Sequence, residues 1–530
     1  MLFTSYEFIG FIFILLILYY IIPRKAQWPL LLVASYIFYF IAGPKYIIYI
    51  LATTVTTYIC AVIIEKNQLK EKKYIKEHKK ELSLEEKKSY KAKGHTIRFR
   101  ILVLCLVINI GLLVVLKYAN FFISNINSIL NLFGGDSSIS AVSLILPLGI
   151  SYYTLRSMGY LLDVYRETIP AEKNFFKFAL FVSFFPLLVQ GPITRYDDLS
   201  KTLYEEHKFN SKNLFMGLQR VLWGFFKKLV IADRLLIAVN TIIDDPSVYN
   251  GAYTIVLIVF YTIELYADFT GGIDITIGIS EALGITVAEN FDRPFASKSL
   301  KEYWRRWHIT MGTWFKDYIF YPVSVCKPML KFSKFSKKHF GEKIGKKLPV
   351  YLSSFIVWFL TGIWHGSSWN FIVWGLANWF ILMVSEELEP TYDRFKKKFR
   401  YYDTKGYCFF QVARTTVLIS MLKLFDCYSS VKTIFSMFAS VFTTANWSVF
   451  ADGSLLNLGL TISDYCILLF GIVLFNIVSA LHAKGSVREK IAGNVYPVRV
   501  CIWFALFLLV LLLGVYGIGY DSSQFIYNRF

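Results

Sequence analysis

Several signals that would mark a soluble enzyme are missing from this sequence. The seven cysteines are scattered at Cys60, Cys105, Cys326, Cys408, Cys427, Cys466 and Cys501, and none falls in a CxxC pair. That spacing suggests neither a zinc site nor a disulfide framework. There is no GxSxG elbow and no HExxH, so a covalent serine enzyme and a zinc enzyme both lack their usual marks. Acidic residues are few, 37 Asp and Glu against 57 Lys and Arg, which leaves a net charge of +20. The first apolar run, Phe8–Ile22, lacks a basic flank and a small-residue cleavage site. It therefore reads as a retained span rather than a signal peptide.

What is abundant is apolar surface. The chain has 530 residues, 55% of them hydrophobic, and a mean hydropathy of +0.47. A soluble domain of this length would not be so apolar. Runs of about 17–25 apolar residues recur along the chain, the length that crosses a hydrocarbon core. They fall near 7–22, 28–42, 46–64, 101–117, 141–162, 174–190, 213–240, 252–267, 351–368, 371–385, 409–424, 463–481 and 499–518. The expected fold class is an all-α integral membrane protein with about 11–13 transmembrane or re-entrant helices.

The positive charge is gathered in particular segments. Lys66–Arg100 is one basic loop, Arg293–Lys347 a second, and smaller ones lie at Arg394–Arg400 and Lys484–Arg499. Basic residues in alternate loops mark the cytoplasmic side of a multi-span protein. This distribution argues against a nucleic-acid partner and for the lipid bilayer. Asn120–Ser140, Asp244–Ala252 and Ser429–Ser463 are poor in Lys and Arg, which places them outside, together with both termini. The Lys/Glu-rich part of the first loop reads as a solvated helical excursion.

Three organisational parts follow: 1–118, N-terminal spans with the basic loop 65–100; 141–385, a polar-lined core with a cytoplasmic amphipathic segment 289–349; and 409–530, C-terminal spans. The core carries charge at membrane depth. Leu146–Arg166 contains Ser151, Arg156 and Asp163; Val221–Arg234 contains Lys227, Lys228, Asp233 and Arg234; Glu264–Glu289 contains Glu264, Asp268, Asp274 and Glu281. Such groups survive only where protein or water covers them. Asp268 and Asp274 read either as cavity lining, as partners for Arg195 or Arg293, or as a structural ion pair.

Of seven histidines, His78, His95, His207, His339 and His482 sit in polar surroundings and read as solvated. His365, in GIWHGSSW, falls within the membrane or near its outer third. An intramembrane imidazole is a functional candidate, since it can accept and return a proton near neutral pH. Gly362 and Gly366 would let another chain or a substrate come close to its ring. His308 follows Arg305 and Arg306 on the amphipathic stretch Leu300–Phe320, where Trp304, Trp307, Met311 and Trp314 recur at helical spacing. The two arginines suit either a phosphate-bearing donor or lipid headgroups. One mobile proton acceptor in a membrane cavity fits a proton-coupled transporter or an acyl transfer, in which a base deprotonates a hydroxyl as it attacks a thioester. The paired, interrupted half-repeats usual in transporters are not visible.

Several blocks also resemble a known family. They are LPLGISYYTLRSMGYLLDVYR (146–166), QGPITRY (190–196), YADFTGGIDITIGISEALGI (266–285), ENFDRPF (289–295), LKEYWRRWHITMGTWFKDYIFYP (300–322), TGIWHGSSWNFIVWG (361–375) and the terminal YDSSQFIYNRF (520–530). In this order they resemble the membrane-bound O-acyltransferase family, in its bacterial alginate O-acetyltransferase-like branch. The resemblance implies helices in a ring around a central tunnel, with His308 and His365 as the functional pair and His365 as catalytic base. It implies no bound cofactor, but an acyl thioester co-substrate, acetyl-CoA or an acyl carrier protein, entering from the cytoplasm. It implies a cell-surface polysaccharide acceptor, often reached through an extracellular acyl-handling partner protein. D-alanyl transfer toward teichoic acid is the alternative within the family.

On that reading Arg305, Arg306, Trp304 and Trp307 meet the donor, and Asp317 orients polar groups or caps its helix. Trp364, Ser367, Ser368 and Asn370 are the nearest candidates to steady an oxyanion; the two serines suit helix packing equally. The chain departs from the family pattern at SMLKLFDCYSS (420–430), where Asp426 and Cys427 stand, and at Asn378.

Overall fold

In a computed structural model, residues 3–134, 138–144, 146–398, 404–516 and 520 are described; the terminal block 521–530 and residues 517–519 lie outside them. Among the described residues the chain is helical and without strands. Nine helices among the described residues are long and apolar enough to cross a membrane, with Tyr6–Ile21 and Val431–Thr443 as shorter apolar helices. The chain forms two compact units, Ser5–Leu214 with Ser280–Val287, and Phe215–Ile279 with Ala288–Phe530.

In the first unit, helix starts follow the local sequence. Ser5 caps Tyr6–Ile21 by accepting the Phe8 N–H at 3.2 Å. Ser83 and Glu86 close a reciprocal capping box on Leu84–Leu132, which satisfies two of the orphan N–H groups of a helix start. This 49-residue helix buries Gly94, Arg98, Leu102, Cys105, Asn109, Leu113 and Leu116. Their three- and four-residue spacing is one helical stripe. Leu104, Val107, Ile108 and Val115 on other faces are exposed, as expected of a lipid-facing surface. The basic connection 65–100 is a helical excursion, as expected: Ile47–Glu77 and Leu84–Leu132 continue past the apolar runs, with Arg98 and Glu71 paired at 2.6 Å.

The expected span at 141–162 does not form as one helix. Ile150–Tyr165 is helical, and Gly149 precedes it at φ 69°, a conformation open to glycine. The segment before it is held in non-helical form by two asparagines of Leu84–Leu132. Asn120 exchanges hydrogen bonds with the Val142 backbone at 2.9 and 3.0 Å, and Asn127 with Ile139 at 2.8 and 2.9 Å. The expected span 174–190 likewise shortens to Phe175–Ser183 before Pro186 turns it.

In the second unit the expected span 213–240 is three joined pieces, Ser211–Phe225, a π-helical Phe226–Ala232 and Asp233–Asp244. The π segment adds a residue to the turn and swings both Lys227 and Lys228 inward; such bulges commonly mark functional or strained sites. Close contact with Ala252–Ala282 needs glycine, because a Cβ on Gly224 would stand 2.6 Å from the Gly271 carbonyl oxygen. Across this contact Lys227 pairs with Asp274 at 2.6 Å, and Lys228 with Asp268 and Asp233 at 2.6 and 2.7 Å. Arg220 joins Asp274 at 2.9 Å and Glu289 at 2.6 Å. Asp268 and Asp274 thus form buried ion pairs with the two lysines and Arg220, the structural ion-pair reading of them.

The second expected basic loop is also largely helix, since Lys327–His365 runs through it with a break at Gly341. It forms a hairpin with Trp369–Lys398. Gly362 and Gly375 make this hairpin tight: a Cβ on either would lie 2.5 Å from the Phe371 oxygen or 2.4 Å from the Trp358 oxygen. Gly362 and Gly366 therefore admit the chain's own next helix, where approach of another chain or a substrate had been expected.

Candidate functional site

The stretch Leu300–Phe320 does not form the single amphipathic helix its pattern predicts. It breaks into Leu300–Arg306, Ile309–Phe315 and the π-helical Lys316–Phe320. The first break is His308 itself, at φ 48° and ψ 52°. That left-handed conformation costs a non-glycine residue roughly 1–2 kcal/mol, so it needs support. Asn290 provides it. Its backbone oxygen accepts the Ile309 N–H at 3.0 Å. Its side-chain Oδ1 accepts the Thr310 N–H at 3.1 Å and the Thr310 hydroxyl at 2.9 Å.

The same Oδ1 lies 3.3 Å from His308 Nδ1. A backbone N–H can only donate, so the Asn290 atom facing Thr310 is the oxygen. His308 Nδ1 must then carry the proton to complete the bond, and Nε2 keeps its lone pair. That Nε2 is buried with no hydrogen-bond partner among the described residues. His308 lies outside the helices that are long and apolar enough to cross a membrane among the described residues. Burial pushes its pKa down from 6.5 to about 3, and the nearby Lys423 charge adds to this. It is a neutral imidazole at physiological pH.

A cavity of about 310 Å³ is lined by His308, Trp304, Arg305, Trp307, Lys301 and Lys316, with Val357, Trp358 and Thr361 of the Lys327–His365 helix across from them. Trp304 Nε1 is buried with no hydrogen-bond partner among the described residues. His308 Nε2 and Trp304 Nε1 thus give this mixed aromatic, aliphatic and cationic lining one acceptor and one donor that are buried without a hydrogen-bond partner among the described residues. Three cations, Lys301, Arg305 and Lys316, are exposed beside it.

The two histidines are joined by aromatic contact. Trp364 meets His308 edge-on with centroids 6.1 Å apart and His365 at 5.1 Å. His365 meets Trp374 at 4.7 Å, and Trp374 meets Trp304 at 5.7 Å. His365 is half-buried at the end of its helix. Edge-to-face aromatic pairs fix ring orientation beyond simple apolar burial.

The remaining expected site residues are placed as follows. Arg306 pairs with Glu302 at 2.7 Å, and its carbonyl accepts the Asp292 N–H at 3.0 Å; it does not line the cavity. Asp317 stands beside Lys316 on the π-helical turn, also outside the cavity lining. Ser367 is exposed in the turn after His365. Asn370 is buried, donates to the Phe425 oxygen at 2.8 Å, and accepts the Ser368 hydroxyl, so its amide is tied into the helix packing. Among the described residues no group of three His, Cys, Asp or Glu is arranged for a metal ion.

Two residues of the site carry no obvious sequence signal. Asn290 lies 18 positions before its histidine in a segment without periodicity. Lys423 places Nζ 4.6 Å from the Trp307 ring centroid, a cation–π contact, and sits 3.9 Å from Asp426. Its three-residue offset from Asp426 in an apolar helix is the one hint available.

Residues 171–431 match the membrane-bound O-acyltransferase (MBOAT) family. Over 397 residues the chain is 31% identical to the "Probable alginate O-acetylase AlgI" of Pseudomonas aeruginosa, covering 73% of this chain and 66% of that protein. It is 30% identical to the peptidoglycan O-acetyltransferase of Helicobacter pylori, covering 69% and 66%. The teichoic acid D-alanyltransferase of Bacillus subtilis is 29% identical over 49% of this chain and 62% of its own length. Matches to the relatives named alginate O-acetylase span from 46% of the relative in Pseudomonas fluorescens to 66% in Pseudomonas aeruginosa.

Proposed function

We propose an O-acyl-transfer function for this chain, which belongs to the membrane-bound O-acyltransferase family. The acyl group is acetyl, the donor a cytoplasmic thioester, and the acceptor a hydroxyl of a cell-surface polysaccharide or of an extracellular partner protein that hands the group on. The protein sits in the bacterial plasma membrane with both termini outside, and its helices ring a central tunnel. The reading rests on similarity to relatives named as alginate and peptidoglycan O-acetylating proteins. The observation that carries it is the His308 cavity, with a lone pair, an indole N–H and three cations at one opening.

In this mechanism the donor's phosphate-bearing arm lies against Lys301, Arg305 and Lys316. The Trp304 N–H donates to the thioester carbonyl oxygen, and His308 Nε2 accepts from an N–H of the donor arm. His365 takes the proton from the acceptor hydroxyl. The oxygen attacks the carbonyl carbon, a C–O bond forms and the C–S bond breaks. The proton then passes to the departing thiolate. The rate gain is positional, because donor and acceptor meet from opposite sides at one fixed geometry.

The test supplies labelled acetyl thioester to the cytoplasmic face of sealed vesicles and measures labelled ester on an external polysaccharide. Ester formation that is lost in His365→Ala, with helix content retained, supports the reading. Proton-driven uptake without ester formation replaces it with transport. Ester formed only from an alanyl-loaded carrier protein moves the substrate assignment to D-alanyl transfer, the activity named for the Bacillus relative.

A further inference from the structure

The helical excursion of the first unit holds a cleft of about 510 Å³. It lies between the end of Ile47–Glu77, the turn that follows, and the start of Leu84–Leu132. The two helices are held together beside it. Tyr74 stacks on Tyr90 with centroids 4.4 Å apart. Gly94 allows contact so close that a Cβ there would stand 2.2 Å from Glu71 Oε2.

Charge in this cleft is unbalanced. Its two carboxylates are already matched, Glu71 by Arg98 at 2.6 Å and Glu167 by Lys72 at 2.7 Å. Lys76, Lys79, Lys87 and Lys91 line the same cleft with no ion pair among the described residues. Lys87 Nζ donates to the Lys79 carbonyl oxygen at 2.8 Å, which steadies its charge there without neutralising it. Ammonium groups gathered around one concavity repel one another, and a multivalent anion relieves that repulsion. Ile75 is the one apolar residue of the lining, so the cleft is built to read charge.

Lipid headgroups do not reach it. The apolar runs end at Ile64 on one helix and begin at Ile101 on the other, and both helices continue unbroken beyond them. At about 1.5 Å per residue, Lys76 and Lys91 stand about 18 and 15 Å from the hydrocarbon edge. The headgroup layer takes up only roughly 5–8 Å of that distance. The positive-inside rule assigns the connection to the cytoplasm, where the multivalent anions in solution include nucleotides and polyphosphate.

We propose that this cleft binds a soluble polyphosphate group, carried by a nucleotide or by an inorganic chain, with Lys76, Lys79, Lys87 and Lys91 around it. The proposal goes beyond the acyl-transfer reading and does not depend on it, because no residue of this cleft lines the His308 cavity.

The full-length chain in phosphatidylcholine nanodiscs is titrated with inorganic triphosphate, ATP and orthophosphate, read by calorimetry at fixed salt. The expected result is one saturable triphosphate site, at least about tenfold tighter than for orthophosphate, because each added phosphate meets a further ammonium group. ATP bound more tightly than triphosphate supports the proposal with a nucleotide as the source; ATP bound equally or less tightly supports it with an inorganic chain. Lys76→Gln with Lys91→Gln should weaken triphosphate binding about tenfold or more. Lys73→Gln with Lys88→Gln removes the same charge from the same hairpin outside the cleft lining, and should leave binding nearly unchanged. Replacing part of the phosphatidylcholine by phosphatidylglycerol should also leave it unchanged, because surface charge is screened within about 8–10 Å at such salt. Absence of saturable triphosphate binding, equal losses in the two double variants, or displacement of triphosphate by phosphatidylglycerol would overturn the proposal.

Discussion

Asn290 Oδ1 lies 3.3 Å from His308 Nδ1 while also holding both donors of Thr310. One amide oxygen therefore sets the backbone break at His308 and the tautomer of its ring. Removing it frees the ring to protonate at either nitrogen and loosens the left-handed residue. Asn290→Ala should lower the transfer rate at saturating donor about tenfold or more, in line with the loss of groups that orient a functional histidine. Thr310→Val removes one of the three donors and leaves the His308–Asn290 bond in place, so it should cost much less. Equal losses in the two variants would show that the effect is general loosening rather than ring orientation.

The buried neutral state of His308 makes a pH prediction. Its pKa is lowered from 6.5 in the unfolded chain to about 3 in the folded one. Between those values the unfolded state binds the extra proton, so the neutral residue's contribution is complete above about pH 6.5 and is lost as pH falls toward 3. His308→Gln keeps a polar side chain and removes the titration. The melting temperature of the parent protein relative to His308→Gln should therefore fall between pH 7 and pH 5, measured in one detergent at fixed salt. A difference that stays constant over that range would mean that His308 titrates at its ordinary value.

The helix hairpin that carries His365 depends on contact too close for any side chain. A Cβ on Gly375 would sit 2.4 Å from the Trp358 oxygen, and Trp374, the preceding residue, is the ring against His365. Gly375→Leu should force the helices apart, move Trp374 and His365 together, and remove transfer activity as well as several degrees of melting temperature. Gly111 has open space around it on an outward-facing helix, so Gly111→Leu should leave both unchanged and serves as the control.

What could be read from the sequence divides along a physical line. Lipid-facing spans such as Ile462–His482 are legible because each residue meets a uniform solvent and run length alone defines them. His365 stands out in the sequence because ionisable groups in apolar runs are rare and expensive, whereas His308, on an amphipathic stretch, is marked only by the family resemblance. Elements whose form depends on distant partners are not legible. Nothing local says that 138–142 is held against Asn120 and Asn127, or that a π-turn aims Lys227 and Lys228 at Asp274 and Asp268. The Trp304, Trp307, Met311 and Trp314 stripe predicts one helix, yet the chain breaks at His308 because Asn290 stabilises a conformation that helix periodicity cannot register. Gly362 and Gly366 were visible, but whether a glycine admits a substrate or a neighbouring helix depends on where that helix folds back.

The two adjacent lysines of the π-helix should respond differently to the same change. Lys228 lies between Asp268 and Asp233 at 2.6 and 2.7 Å, with the lysine and Asp268 both fully buried. Lys228→Met leaves two carboxylates facing each other without the cation between them. Breaking a buried pair from one side costs about 3–5 kcal/mol. Lys227→Met removes a cation from Asp274, but Arg220 still holds that carboxylate at 2.9 Å, so the loss should be clearly smaller. Adding Asp268→Asn to Lys228→Met removes half of the uncompensated charge and should recover part of the stability. Thermal denaturation in detergent orders the four proteins: parent highest, then Lys227→Met, then the double variant, then Lys228→Met. If Lys228→Met and the double variant melt together, the charge of Asp268 is not what the lysine neutralises, and the π-helix owes its form to the glycine contact at Gly224 and Gly271 instead.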